Sequence, residues 1–284
     1  MDPVLKWAGG KRQLLSTLLK YITPELLEGH RYYEPFVGGG SVAFSLAHPN
    51  TTINDYNPEL INVYKVIRDN PNELIEVLKF HEQRHSKDYY YKVRALDRVE
   101  SYSSLSVTEK AARTIYLNRT CFNGLYRVNG KNQFNVPFGQ PSPHGIVQEK
   151  RIKLLSEYLQ GSGISICEGD FSNCLLDIKP GDVVYFDPPY DYEDTGFNKY
   201  VTNIFGHKEL EQLRDLSLQL VKNGCTVILS NNDTSFVRKM FSDDVFSILG
   251  IEAKRFINCK PDKRSGVKEV IIWGQDFDVH RIYS

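Results

Sequence analysis

Four consecutive apolar residues, Val183-Val184-Tyr185-Phe186, run without interruption into Asp187-Pro188-Pro189-Tyr190. A run this apolar is no exposed edge strand; it belongs in a sheet covered on both faces, as parallel sheets flanked by helices are. The two prolines then stop it, because they donate no backbone hydrogen bond and fix the chain direction. The tetrapeptide therefore stands at the carboxyl end of a central strand, the edge of an open α/β sheet where ligands bind.

The rest of the chain fits that frame. Short runs rich in β-branched and aromatic residues recur at Arg31–Phe36, Thr51–Asp55, Gly163–Cys167, Val183–Asp187, Cys225–Ser230, Phe246–Ile251 and Glu269–Trp273, separated by stretches of helical periodicity. This predicts an α/β protein with a seven-stranded, mainly parallel sheet. Between the second and third runs the texture changes to successive helical stretches near Pro58–Arg68, Asn72–Arg84, Tyr89–Val99 and Thr108–Leu117. At 284 residues the chain has room for a core domain with one large insertion. The expected division is residues 1–57 with 159–284 as the core and 58–158 as the insertion. Within the latter, Tyr126-Arg127-Val128 and Gln133-Phe134-Asn135-Val136 flank Asn129-Gly130, a pair suited to the positive backbone angles of a tight hairpin turn.

Bulk properties exclude several classes. No apolar run approaches the roughly 20 residues of a membrane span, and the N-terminus lacks the features of a secretory signal, so a cytoplasmic protein is expected. Five cysteines (Cys121, Cys167, Cys174, Cys225, Cys259) without C-x-x-C spacing argue against a disulfide framework and a zinc site. Net charge is zero, yet Lys110, Arg113, Arg119, Arg127 and Lys131 fall in a stretch with no acidic residue. A second basic segment spans Ala253–Lys268, where Asp262 is the one acid. Two basic patches on a neutral chain point to a localised polyanion site.

Glu34-Pro35-Phe36-Val37-Gly38-Gly39-Gly40-Ser41 begins at a strand end and runs into an apolar helix, so its glycines let backbone approach a ligand beside a helix N-terminus. The spacing departs from G-x-G-x-x-G, and a tight structural turn remains an alternative. Asp55, at the end of the next strand, is placed to bond ribose hydroxyls; the competing role is to cap the helix after Asn57-Pro58. Asp187-Pro188-Pro189-Tyr190 supplies a carboxylate and proline-flanked carbonyls as rigid acceptors, suited to an amino group. An aromatic amine is a weak nucleophile because its lone pair is delocalised into the ring. Acceptors at the Asp187 carboxylate and the Pro188 carbonyl hold its two N–H bonds while Tyr190 stacks on the base, which is positioning and electrostatic preorganisation without a metal. Alone, the tetrapeptide is equally a rigid strand-to-loop turn.

Taken together these segments resemble the Dam-type DNA adenine methyltransferases, in which the cofactor segment precedes the recognition domain and the catalytic segment follows it. The resemblance covers nearly the whole chain. It is carried by Lys6-Trp7-Ala8-Gly9-Gly10-Lys11, the Glu34–Ser41 segment, Asp55, Asn118-Arg119 with Phe122-Asn123-Gly124-Leu125-Tyr126-Arg127, Phe134-Asn135-Val136-Pro137-Phe138-Gly139, Gly169-Asp170-Phe171 and Asp187-Pro188-Pro189-Tyr190. It implies a Rossmann-like methyltransferase sheet whose last strand inserts antiparallel, with 58–158 as the target-recognition domain.

The implied cofactor is S-adenosylmethionine, leaving as S-adenosylhomocysteine. By the resemblance Trp7, Lys11, Asp55 and Asp187 contact it, Asp170 and Phe171 lie near its adenine, and the Pro35, Phe36, Gly38 and Gly40 backbone lines its pocket. Taken singly, Trp7 is equally a core aromatic and Lys11 a solvated helix start. The implied partner is double-stranded DNA, bound by a monomer or weak dimer that flips the adenine out of the helix. Phe122, Asn123, Leu125 and Arg127 match the family's recognition hairpin, where an aromatic fills the gap left by the flipped base and an arginine reads guanine. Lys6 matches a further base-contacting position, and Arg119 and Lys131 add basic contacts. The pattern around the hairpin is most like that of members acting on 5′-GATC-3′. The segment Gln140–His144 departs from the family's basic and aromatic pattern, and the basic loop Asn258–Lys268 is expected to track the DNA backbone.

Three rivals stand beside this reading. A nicotinamide dehydrogenase would explain the glycine segment but not Asp187–Tyr190. An amino-methyltransferase acting on cytosine, RNA or protein glutamine shares the catalytic logic. A silent DNA-binding module would keep Phe122–Arg127 without needing the tetrapeptide.

Overall fold

The computed structural model describes residues 1–7, 12–139, 145–191, 205–253 and 267–274. In chain order the elements are α1 (Arg12–Tyr21), α2 (Pro24–Leu27), β1 (Tyr32–Glu34), α3 (Ala43–Leu46), β2 (Thr51–Asp55), α4 (Pro58–Asp69), α5 (Pro71–Gln83), α6 (Lys87–Ala95) and α7 (Val107–Thr120). There follow α8 (Glu149–Leu159), β3 (Ile164–Glu168), β4 (Val183–Phe186), α9 (His207–Lys222), β5 (Thr226–Asn232), α10 (Ser235–Met240), β6 (Phe246–Ala253) and β7 (Val267–Gly274). The strands form one seven-stranded sheet in the order β3-β2-β1-β4-β5-β7-β6. The pairs β2/β3, β1/β4 and β4/β5 run parallel, and β7 runs antiparallel between β5 and β6. The mainly parallel sheet with an inserted antiparallel last strand is thus observed.

Strand limits shift for local reasons. β1 is shorter than Arg31–Phe36 because Pro35 brings no N–H to a ladder, and β4 stops at Phe186 before the prolines. β5 instead runs past Ser230 to Asn232, because β7 pairs with it up to Asn232 and Glu269.

The chain divides into two compact units, Met1–Arg12 with Val37–Phe171, and Gln13–Phe36 with Ser172–Ser284. In the first, Asn57 caps α4 by accepting from Glu59 N and Leu60 N, and Pro58 sits in the first turn, where a missing N–H costs nothing. The helix then buries Leu60, Ile61, Val63, Tyr64, Val66 and Ile67. Ser106 and Glu109 close a capping box on α7, which extends the expected Thr108–Leu117 stretch at both ends and buries Ala111, Ala112, Ile115, Tyr116 and Leu117. In the second unit every residue of β4 and β5 is buried.

The hairpin differs from expectation. Val128 and Phe134 bridge antiparallel, Asn135 N donates to Arg127 O, and Asn129 N donates to Gln133 O, so the chain does double back. Asn132 N closes the turn on Asn129 O, and the positive φ of 57° falls on Asn132, not on Asn129 or Gly130. The Asn129 carboxamide accepts from Lys131 N and Gln133 N. That side-chain cap favours a longer loop ending in a left-handed residue over the two-residue turn.

Candidate active site

Beyond the last paired residues of β4 and β5, Phe186 and Leu229, the next residues in register are Asp187 and Ser230. The Ser230 hydroxyl donates to Asp187 Oδ1 at 2.9 Å, and Tyr185 Oη lies 2.8 Å from Ser230 Oγ. Tyr185 and Ser230 are wholly buried. Burial first, and then the Asp187, Glu34 and Glu269 carboxylates, push the Tyr185 phenol well above its ordinary pKa despite the bond to Ser230. Pro188 is buried and Pro189 exposed. Tyr190 Oη donates to Glu269 Oε2 on β7 at 3.4 Å.

The chain is pinned again just beyond. Asp191 N donates to Asn231 Oδ1 at 2.9 Å, Asn232 Nδ2 donates to Asp191 O at 2.6 Å, and Thr234 Oγ1 donates to the Asp191 carboxylate at 2.6 Å. His207 Nε2 stands 3.1 Å from the same carboxylate. In the same unit Pro35 is buried after β1, and the Phe36 ring packs edge-on against Phe186 and Phe205.

In the other unit the glycine segment forms a braced turn. Val37 N donates to Asn54 O, Gly40 N donates to Val37 O, and Gly38 N donates to Asp55 Oδ2 at 3.0 Å. Tyr64 Oη of α4 donates to Gly38 O at 2.6 Å. Gly38 has a φ of 49°, and a Cβ there would stand 2.9 Å from Trp7 Cδ1; one at Gly39 would stand 2.8 Å from Trp7 Cβ. Glycine is required here for the backbone angle and for the close approach of the indole. Trp7 also stacks on Tyr126, with ring centroids 5.1 Å apart. Asp55 Oδ1 accepts from Asn57 N at 2.9 Å, while Asn57 itself supplies the helix cap. Burial raises the Asp55 pKa against the lowering pull of these backbone donors. Gly169 N donates to Asp55 O and Asn54 Nδ2 donates to Gly169 O, which fixes the Asp170-Phe171 segment at the end of β2. Lys11 lies outside the described residues, as do Gln140–His144 and most of the Asn258–Lys268 loop.

The residues assigned to DNA sit in this unit. Phe122-Asn123-Gly124 forms a single turn after α7, with Phe122 44% exposed and Asn123 exposed at a φ of 55°. Buried Asn118 holds this turn to the N-terminal segment: Lys6 N donates to Asn118 Oδ1 at 2.8 Å, and Asn118 Nδ2 donates to Lys6 O and Gly124 O. Partial burial, then the Arg119 charge, lower the Lys6 pKa. Leu125 is half-buried, and Arg127 is exposed with Nε donating to Asn135 Oδ1 at 2.6 Å. Lys131 is exposed at the loop tip. Arg119 Nε donates to Gly145 O at 3.0 Å.

Sequence reasoning did not single out Ser230, Glu269, Asn118 or Asp191. A signal existed for the first, since Ser230-Asn231-Asn232 places three polar residues at the carboxyl end of an apolar strand. Asn118 lay inside a recognised block without a role. Among the described residues no group of His, Cys, Asp and Glu is arranged to hold a metal ion, and no helix is long and apolar enough to cross a membrane.

The class of protein is given by comparison with known proteins. The family model for D12 class N6 adenine-specific DNA methyltransferases matches residues 7–257, and the chain belongs to that family. It is 42% identical to the Type II methyltransferase M1.LlaDCHI of Lactococcus lactis subsp. cremoris, over 96% of this chain and 95% of that one. It is 37% identical to the Type II methyltransferase M.MjaIII of Methanocaldococcus jannaschii, over 96% and 98% of the two chains. To the DNA adenine methylase of Haemophilus influenzae it is 33% identical, over 95% and 92%.

Proposed function

We propose that this adenine-specific DNA methyltransferase transfers the methyl group of S-adenosylmethionine to the exocyclic amino group of an adenine flipped out of double-stranded DNA, within 5′-GATC-3′. The observation that carries the reading is the anchoring of Asp187, next after β4, and of Tyr190, three residues further on, each bonded to a side chain of another strand. S-adenosylmethionine, when bound, supplies an electrophilic methyl group on a sulfonium.

The residues fit that group. Asp55 accepts the backbone N–H groups of Gly38, Asn57 and Tyr56, and a carboxylate with about four acceptor sites keeps capacity for a hydroxyl donor. Trp7 offers an aromatic face beside the Gly38-Gly39 backbone, and carboxylates favour a cation. Lys11 is assigned to the methionine carboxylate, and Pro35, Phe36, Gly40, Asp170 and Phe171 to the pocket lining. Asp187 then accepts one N–H of the adenine amino group, the Pro188 carbonyl accepts the other, and Tyr190 stacks on the base. Holding both N–H bonds draws the nitrogen toward tetrahedral geometry and localises its lone pair for attack on the methyl group, which is catalysis by positioning and electrostatics. Phe122 fills the gap left by the base, Arg127 and Lys6 read flanking bases, and Asn123, Leu125, Arg119 and Lys131 complete the DNA surface. Residues 58–158 are in this reading the target-recognition domain of a cytoplasmic monomer or weak dimer.

Methyl transfer from labelled S-adenosylmethionine into defined duplexes, followed by nucleoside analysis, tests the reading. The expected product is N6-methyladenine in GATC duplexes and none in permuted sites. Equal transfer into permuted sites would remove the specificity, and methylated cytosine would remove the substrate.

A further inference from the structure

We infer that Tyr185 and Ser230 form a buried donor relay that positions the Asp187 carboxylate for the amino group of the target base, an inference that rests on the role of Asp187 proposed above. The Ser230 hydrogen is committed to Asp187 Oδ1, so at the 2.8 Å contact with Tyr185 the phenol donates and Ser230 Oγ accepts. The relay therefore runs in one direction, from phenol to serine to carboxylate.

The surroundings give these hydroxyls no other purpose. Tyr185 stands in Val183–Phe186, and Ser230 follows Val227-Ile228-Leu229, all of them buried. A hydroxyl in such a place is unfavourable unless it is bonded, and among the described residues each of these two is bonded along the relay. Burial of the phenol among the Asp187, Glu34 and Glu269 carboxylates keeps it protonated, so it always donates. Asp187 follows the last residue of β4 and precedes two prolines, and its carboxylate receives the Ser230 hydroxyl from β5. A charge-assisted bond to Oδ1 fixes the plane of the carboxylate and thus the direction in which its acceptor sites face.

The experiment uses the full-length protein and a duplex that the wild type methylates, comparing Ser230→Ala, Ser230→Thr, Tyr185→Phe and Asp187→Ala. Loss of one charge-assisted bond should lower kcat of Ser230→Ala about tenfold, with KM for DNA and for S-adenosylmethionine changed less than about threefold. Ser230→Thr keeps the hydroxyl on a β-branched residue that suits a strand, and should recover most of the lost rate. Tyr185→Phe keeps the buried ring and should fall between wild type and Ser230→Ala; it also tests the relay should Ser230→Ala fold poorly. A wild-type kcat in both Ser230→Ala and Tyr185→Phe, or a Ser230→Thr variant no better than Ser230→Ala, would overturn the relay. Near-wild-type turnover in Asp187→Ala would instead overturn the role of Asp187 on which the relay depends, so the two failures are distinguishable.

Discussion

The segment after β4 and the turn after α7 both leave a regular element and present polar chain, yet they are held in different ways. At Asp187 and Tyr190 the side chains themselves are anchored, by Ser230 and Glu269. At Phe122-Asn123-Gly124 the anchoring is to the backbone: Asn118 grips Lys6 N, Lys6 O and Gly124 O, and Phe122 N donates to Pro137 O, while the Phe122 and Asn123 side chains stay exposed. The difference suits the proposed tasks. Acceptors that must meet two N–H bonds lose their effect if they rotate. Side chains that must reach into DNA need a fixed base and a free end.

Four experiments sharpen or break that contrast. The largest effect is expected from Asp187→Ala, which should lower methyl transfer by about 10²–10³-fold, the scale for losing a preorganised polar group. DNA affinity, measured by fluorescence anisotropy, should stay within severalfold. Asn118→Ala should act on stability, because it leaves three buried or half-buried backbone groups without their partner. A loss of about 2–3 kcal/mol is expected, seen as a lower thermal midpoint.

The third test is pH. Burial lowers the His81 pKa to about 4; its Nδ1 lies 2.8 Å from Tyr89 Oη, and its ring stacks on Tyr116 of α7. The folded state keeps this histidine neutral while the unfolded chain takes up a proton below about pH 6.5. Stability is therefore full above that pH and falls as pH drops toward 4, by at most about 1.4 kcal/mol per unit. Unfolding midpoints across this range should show the slope, and His81→Gln should flatten it. The smallest effect on the fold is expected from Arg127→Ala, whose side chain is exposed. Discrimination between GATC and single-base variants should weaken by about 1–3 kcal/mol with an unchanged thermal midpoint.

Much of this was legible in the sequence because it is local. Four apolar residues and Asp187 before two prolines define β4 and its end, and Asn57-Pro58 marks a helix start through a side chain that reaches backbone two or three residues away, whereas the Ser106 capping box that begins α7 ahead of the expected Thr108 was not read. The Asn129-Gly130 turn shows the limit of such signals, because the Asn129 side chain caps a longer loop and moves the left-handed residue to Asn132. The anchors were illegible for a different reason. Ser230 is 43 residues from Asp187, Glu269 is 79 from Tyr190, and Asn118 is 112 from Lys6. Strand order and helix packing bring these residues together, and no local pattern in the chain encodes those pairings.

The most direct test of the account expresses the protein in a host free of DNA methylation and maps modified bases in the extracted DNA. The account predicts N6-methyladenine at GATC sites with the wild-type chain and at most a trace of it with Asp187→Ala. Wild-type levels of methylated adenine in the Asp187→Ala host, or modification confined to cytosine with the wild type, would contradict it.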